Sequence, residues 1–114
     1  MKTESGYLNK VERESIGSFV KELREKLGDE ILSIRLFGSK ARGDFYEDSD
    51  IDIFILVKEK TSDVRSKVAE IAANYDLEYG LPLSTVLYDL FEYGKNTELG
   101  SFFFENVDRE GIAL

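Results

Sequence analysis

The sequence predicts a small α/β or α+β domain, a sheet with helices packed on it. Three observations carry this. Ile31 to Phe37 and Asp50 to Val57 read as strands, each with an apolar face at period two. A helical-period apolar stripe precedes the first run and another follows the second. Leu83 to Tyr88 is a further strand-like run, entered through Gly80-Leu81-Pro82.

The first helix rests on Ile16, Phe19, Val20, Leu23 and Leu27, which fall on one helical face, and Gly28 stops it. In the first strand Leu32, Ile34 and Leu36 share one face while Ser33, Arg35 and Phe37 share the other. In the second, Ile51, Ile53, Ile55 and Val57 face one way, and Asp50, Asp52, Phe54 and Leu56 the other. Lys58 to Lys60 is a charged turn, after which Thr61 or Ser62 caps a helix marked by Val64, Val68, Ile71, Ala72 and Tyr75. Asp89 and Glu92 form a capping pair for a short helix after the third strand. Leu99, Phe102, Phe103 and Val107 predict a last helix ending at Gly111. Phe102-Phe103-Phe104 serves either the packing of that helix or an interface with a partner or a second copy, since three adjacent aromatics cannot all face inward.

A length of 114 residues fits one domain, residues 1–114, with a modest core: 42% of the side chains are hydrophobic and 12% aromatic. No run is long and apolar enough to span a membrane, and Met1-Lys2-Thr3-Glu4-Ser5-Gly6 lacks the apolar centre of a signal peptide, so a cytoplasmic protein is expected. There is no Cys and no His, which excludes disulfides, thiolate metal sites and imidazole chemistry. Any catalysis falls to carboxylates, hydroxyls, Lys, Arg or a hard metal ion. The net charge of −8 argues against a protein that binds nucleic-acid backbone directly. It does not exclude a small anionic substrate, because Mg²⁺ inverts the local charge.

The most informative stretch is Gly38-Ser39, the residues 40–49, then Asp50-Ile51-Asp52. Asp50 and Asp52 project from one strand face about 7 Å apart along the strand. Two such carboxylates suit Mg²⁺, which takes hard oxygen ligands in octahedral geometry. The alternative is a pair of solvated aspartates, which strand propensity and like-charge repulsion both disfavour. Gly38 permits a backbone conformation or a close approach that a Cβ blocks. Ser39 offers a hydroxyl and a backbone N–H to a phosphate, or else caps a short helix. Arg42 can grip a phosphate bidentately, with Lys40 beside it; the alternative is pairing with Asp44, Glu47 or Asp48. The loop fits neither the P-loop nor the dinucleotide fingerprint. Asp48, Asp50, Asp52 and Glu59 mimic an EF-hand, but Ile53 stands where its turn needs Gly.

The run from Phe37 to Leu56 resembles the minimal nucleotidyltransferases of the DNA polymerase β-like superfamily, whose signature is Gly-Ser, ten residues, then Asp-x-Asp. Ala41-Arg42-Gly43 and Asp48-Ser49 are in the same style, and a weaker likeness runs through Leu77-Glu78-Tyr79-Gly80, Leu83-Ser84-Thr85-Val86 and Phe103 to Ile112. The resemblance implies a mixed sheet flanked by helices, the nucleotidyltransferase fold. It implies Mg²⁺-dependent transfer of a nucleoside monophosphate, AMP from ATP, to an acceptor hydroxyl with release of pyrophosphate. Asp50 and Asp52 are then catalytic metal ligands, and Gly38 and Ser39 hold the triphosphate. It also implies a HEPN-type protein as partner and acceptor. The alternative is an antitoxin-like, nucleotide-binding subunit that acts on such a partner by contact alone. One departure bears on this choice: members of the superfamily place a third carboxylate on the next strand, where this chain has Ser84. Asp76, Glu78 and Asp89 are the acidic residues nearest to it in sequence.

Overall fold

The computed structural model describes residues 8–38, 50–98 and 111–114, with the side chains of 96–98 excepted. Helix α1 spans Lys10–Leu27, strand β1 Ile31–Phe37, β2 Ile51–Val57, helix α2 Ser62–Tyr79, β3 Leu83–Asp89, helix α3 Leu90–Glu98 and β4 Ile112–Ala113; a single 3₁₀ turn, Gly28–Glu30, joins α1 to β1. The strand order is β3-β2-β1-β4. β1 runs antiparallel to β2 and to β4, while β2 and β3 are parallel, so the sheet is mixed, as expected.

Local chemistry sets the helix ends. α1 starts before its apolar stripe because Asn9 and Glu12 form a capping box: Glu12 N–H donates to Asn9 Oδ1 at 2.8 Å and Asn9 N–H to Glu12 Oε1 at 3.0 Å. Thr61 caps α2, its Oγ1 accepting from Val64 N–H at 3.2 Å. Gly80 ends α2 in the left-handed conformation, φ 62°.

The core lies on one side of the sheet. Ile16, Phe19, Leu23 and Leu27 of α1 and Val64, Val68 and Ile71 of α2 pack on Ile34, Leu36, Ile51, Ile53, Ile55 and Val57. The expected inward face of β2 is therefore the observed one. On β1 the expectation fails at one residue. Leu32 is 41% exposed and Ile31 is buried in its place. A bulge causes this: Ile31 pairs with Val57 and Ser33 with Leu56, so Leu32 is the extra residue, and the alternation starts one position off.

The opposite side carries a smaller cluster around Phe54, which is buried under Phe37, Leu56, Val86, Tyr88 and the Tyr93 side chain of α3. Phe54 stacks on Tyr88 at a centroid distance of 5.9 Å and meets Tyr93 at 6.4 Å. The molecule thus has three layers: α1 and α2, the sheet, then α3 over part of the far face. Lys60, from the turn between β2 and α2, ties α3 down. Its Nζ lies 2.9 Å from Glu92 Oε1 and donates to Leu87 O at 3.3 Å, and it sits 5.6 Å from the centre of the Tyr88 ring. The predicted last helix lies almost wholly outside the described residues, together with Phe102, Phe103 and Phe104. Beyond it Gly111 leads into the short strand β4, which the sequence does not announce.

Candidate functional site

The far face of the sheet is a grid of side chains fixed by register. Phe37, Asp52 and Ser84 form one row across β1, β2 and β3. Arg35, Phe54 and Val86 form the next, and Ser33, Leu56 and Tyr88 the third. Phe37 of the first row, Val86 of the second, and Leu56 and Tyr88 of the third pack around Phe54. The first row ends the packed region and carries the polar groups, Asp52 at its centre and the Ser84 hydroxyl beside it. Asp52 is half-buried; Asp50, one residue before β2 begins, is exposed. The period of the strand brings Asp50 to the side of Asp52.

Gly38 closes this row on the β1 side, and its backbone has φ 76°. A Cβ placed there would lie 3.1 Å from Asp52 Cγ and 3.3 Å from Asp52 Cβ, and would collide outright with Oδ2. The absence of a side chain at Gly38 is therefore what lets the Asp52 carboxylate lie against the end of β1. Sequence reasoning allowed Gly38 a special conformation or a close approach by a ligand. The structure has the special conformation, and the group making the close approach is the protein's own carboxylate.

The edge of the site is pinned to the chain before β3. Ile51 N–H, immediately after Asp50, donates to Pro82 O at 2.8 Å. The parallel pairing that follows sets Ser84 beside Asp52. Of the acidic residues near Ser84 in sequence, Asp89 is removed from the row: it pairs with Val57 at the other end of β3 and caps α3, accepting from Glu92 N–H at 2.9 Å. That bond, with smaller help from Lys60, holds the Asp89 carboxyl below its ordinary pKa. Asp76 and Glu78 belong to α2. Ser39, Lys40, Arg42 and Gly43 lie outside the described residues.

The donor set suits a hard divalent cation. The row offers carboxylate and hydroxyl oxygens, and the chain contains no Cys or His to favour a softer ion. Among the described residues no group of three or more acidic side chains is arranged to hold a metal. The described part of the site thus offers two carboxylates, which is the number Mg²⁺ commonly takes when substrate phosphates complete its shell.

Comparisons with known proteins give the family of the chain. A family model described as a nucleotidyltransferase domain matches residues 16–106. Two proteins of Methanocaldococcus jannaschii, each described as a candidate protein adenylyltransferase, are similar over nearly their whole length. One is 37% identical over 102 residues, 89% of this chain and 96% of the relative. The other is 36% identical over 106 residues, 90% of this chain and 97% of the relative. A crystal structure of a toxin–antitoxin with AMP-PNP superimposes with a TM-score of 0.53 and 24% identity, covering 84% of this chain and 69% of that one, a likeness of fold.

Proposed function

We propose, since this chain belongs to the nucleotidyltransferase domain family, that it transfers AMP from ATP to a hydroxyl on a partner protein. The observation that carries the reading is the contact of Gly38 with Asp52, which seats a strand carboxylate against the end of β1. The relatives described as candidate protein adenylyltransferases support AMP as the transferred group and a protein as the acceptor. In the reaction the acceptor oxygen attacks the α-phosphorus, the bond from that phosphorus to the bridging oxygen breaks, and pyrophosphate leaves with the electron pair. The hydroxyl proton passes to solvent or to a carboxylate at the site.

Asp50 and Asp52 would hold Mg²⁺. When bound, the ion neutralises triphosphate charge and stabilises the leaving pyrophosphate. The residues of the chain then divide the work. Asp52, half-buried and fixed by strand pairing on both sides, sets the position of the phosphates. Asp50, exposed, supplies the second carboxylate. Gly38 and Ser39 hold the triphosphate through backbone N–H groups and the serine hydroxyl, and Arg42 grips a phosphate. The aromatic floor around Phe54 keeps the row dry on its inner side.

The test is calorimetry of ATP with and without Mg²⁺, on the wild type and on Asp50→Asn/Asp52→Asn. Binding is expected only with Mg²⁺ and both aspartates. ATP binding that ignores the double substitution removes the reading.

A second reading, nucleotide binding without transfer, is favoured by Ser84. The position beside Asp52 holds a neutral hydroxyl, so the described row contains no further carboxylate to take the acceptor proton. Neutralisation of the partner would then rest on contact. Labelled ATP separates the two: covalent label on a HEPN-type partner supports transfer, and a tight but unlabelled complex supports contact.

A further inference from the structure

Two grooves meet at the end of α2, and Val11, Leu77 and Tyr79 on their rims are exposed. One, of about 510 Å³, is lined by Tyr75, Leu77 and Tyr79 together with Glu22 and Glu78. The other, of about 430 Å³, runs from Val11 and Glu12 of α1 past Tyr79 to Leu81 and Pro82. Tyr79 belongs to both. Leu77 is 86% exposed, Val11 65% and Tyr79 50%. Exposed apolar side chains around a groove mark an interaction surface when its rim is polar. Here every charged side chain lining the two grooves is acidic, Glu12, Glu22 and Glu78, on a chain whose net charge is −8. Glu22 accepts from the Tyr75 hydroxyl at 3.3 Å, a bond to a neutral group that leaves its charge in place.

We infer that this surface docks a basic amphipathic helix of a partner protein. Its apolar side would cover Val11, Leu77 and Tyr79, and its cations would meet Glu22 and Glu78. Charge complementarity argues for that occupant. Another groove, about 450 Å³ between Leu90, Phe91 and Gly94, carries Lys95 instead, its Nζ 6.0 Å from the centre of the Phe91 ring, and would repel a cation.

The position of the surface gives the docking a purpose. Pro82 lines the groove and also accepts the Ile51 N–H bond, one residue from Asp50. A partner seated there stands at the same end of the sheet as the two aspartates. Its role as the acceptor rests on the nucleotidyl-transfer reading; the docking itself does not.

The test uses the full chain and three synthetic helices: one with a Leu face and a Lys face, its counterpart with Glu for Lys, and one with Ser for Leu. NMR shift changes are expected at Val11, Leu77 and Tyr79 with the Leu/Lys helix only, weakening as salt is raised. Leu77→Ser/Tyr79→Ser is expected to weaken binding at least about tenfold, as loss of exposed apolar and aromatic anchors does. The same variant should still unfold cooperatively and keep Mg²⁺–AMP-PNP binding. Equal binding of the Glu helix, shifts centred on Leu90 and Phe91, or a variant that binds like wild type would overturn the inference. So would a dimer of this chain that the double substitution abolishes, because the patch would then belong to a second copy. A wild type that binds the Leu/Lys helix but no nucleotide keeps the docking surface and removes the transfer reading. The reverse result removes the docking surface alone.

Discussion

Gly38→Ala separates the two demands made on this glycine. The first is conformational. At φ 76° any side chain brings Cβ against its own backbone, which costs roughly 1–2 kcal/mol. The second is spatial: the new carbon collides with Asp52, and overpacking at a fixed site costs about another 1–3 kcal/mol. Gly80→Ala is the natural control, with φ 62° and nothing within 4 Å of its virtual Cβ, so it meets only the first demand. With about 5 °C of midpoint per kcal/mol in a domain of this size, Gly80→Ala should lower the thermal midpoint by roughly 5–10 °C and Gly38→Ala by roughly 10–25 °C. The functional contrast is sharper. Gly80→Ala should bind Mg²⁺–AMP-PNP as the wild type does. Gly38→Ala, measured by calorimetry well below its midpoint, should lose about tenfold or more, which is 1.4 kcal/mol, because the displaced carboxylate is the proposed ligand. Equal losses in the two variants, in both stability and affinity, would refute the argument that Gly38 exists to admit Asp52.

Other outcomes follow from the packing. Phe54→Ala removes the centre of the far-face cluster and should cost about 3–5 kcal/mol in urea unfolding, a typical loss for a buried phenylalanine. Gly17, inside α1 with nothing within 4 Å of its virtual Cβ, should accept Ala and stabilise the protein by about 0.5–1 kcal/mol in the same assay. The Asp89 carboxyl is held low in the folded state, first by the Glu92 N–H bond, so its contribution is present above the unfolded value near about 3.9 and is lost as pH falls through the depressed folded value. Asp89→Asn should therefore flatten the acid limb of the stability–pH curve below about pH 4, read by thermal melts across that range.

What the sequence made legible depended on how local the cause was. Ile16 to Leu27 and the Ile51-Ile53-Ile55-Val57 face could be read because periodicity and burial agree residue by residue. The Asp89–Glu92 cap and the Thr61 cap were legible for the same reason, each being closed within three residues. Leu32 was misplaced because the bulge is a property of the pair β1–β2, and nothing in Ile31-Leu32-Ser33 alone announces it. β4 was missed because Ile112–Ala113 is too short to alternate; its hydrogen-bonded place beside Arg35 and Leu36 is a tertiary fact. At the site the spacing of the two aspartates was readable, and the resemblance put Ser84 where a third carboxylate is expected; that it lies beside Asp52 is a fact of register. That Gly38 touches Asp52, and that Lys60 reaches back to Glu92 and Tyr88, required the register of strands far apart in sequence.

The row Phe37–Asp52–Ser84 has a consequence for how the chain folds. It joins an antiparallel pairing on one side of β2 to a parallel pairing on the other, and the second cannot close until α2 has been laid across the sheet. Both pairings are long-range contacts, which form late because loop closure must precede them. No species that lacks either pairing can hold Asp52 between both of its neighbours. A ligand that needs this row therefore recognises only a chain with both pairings closed, and it stabilises that state by an amount that grows with the logarithm of its free concentration over Kd.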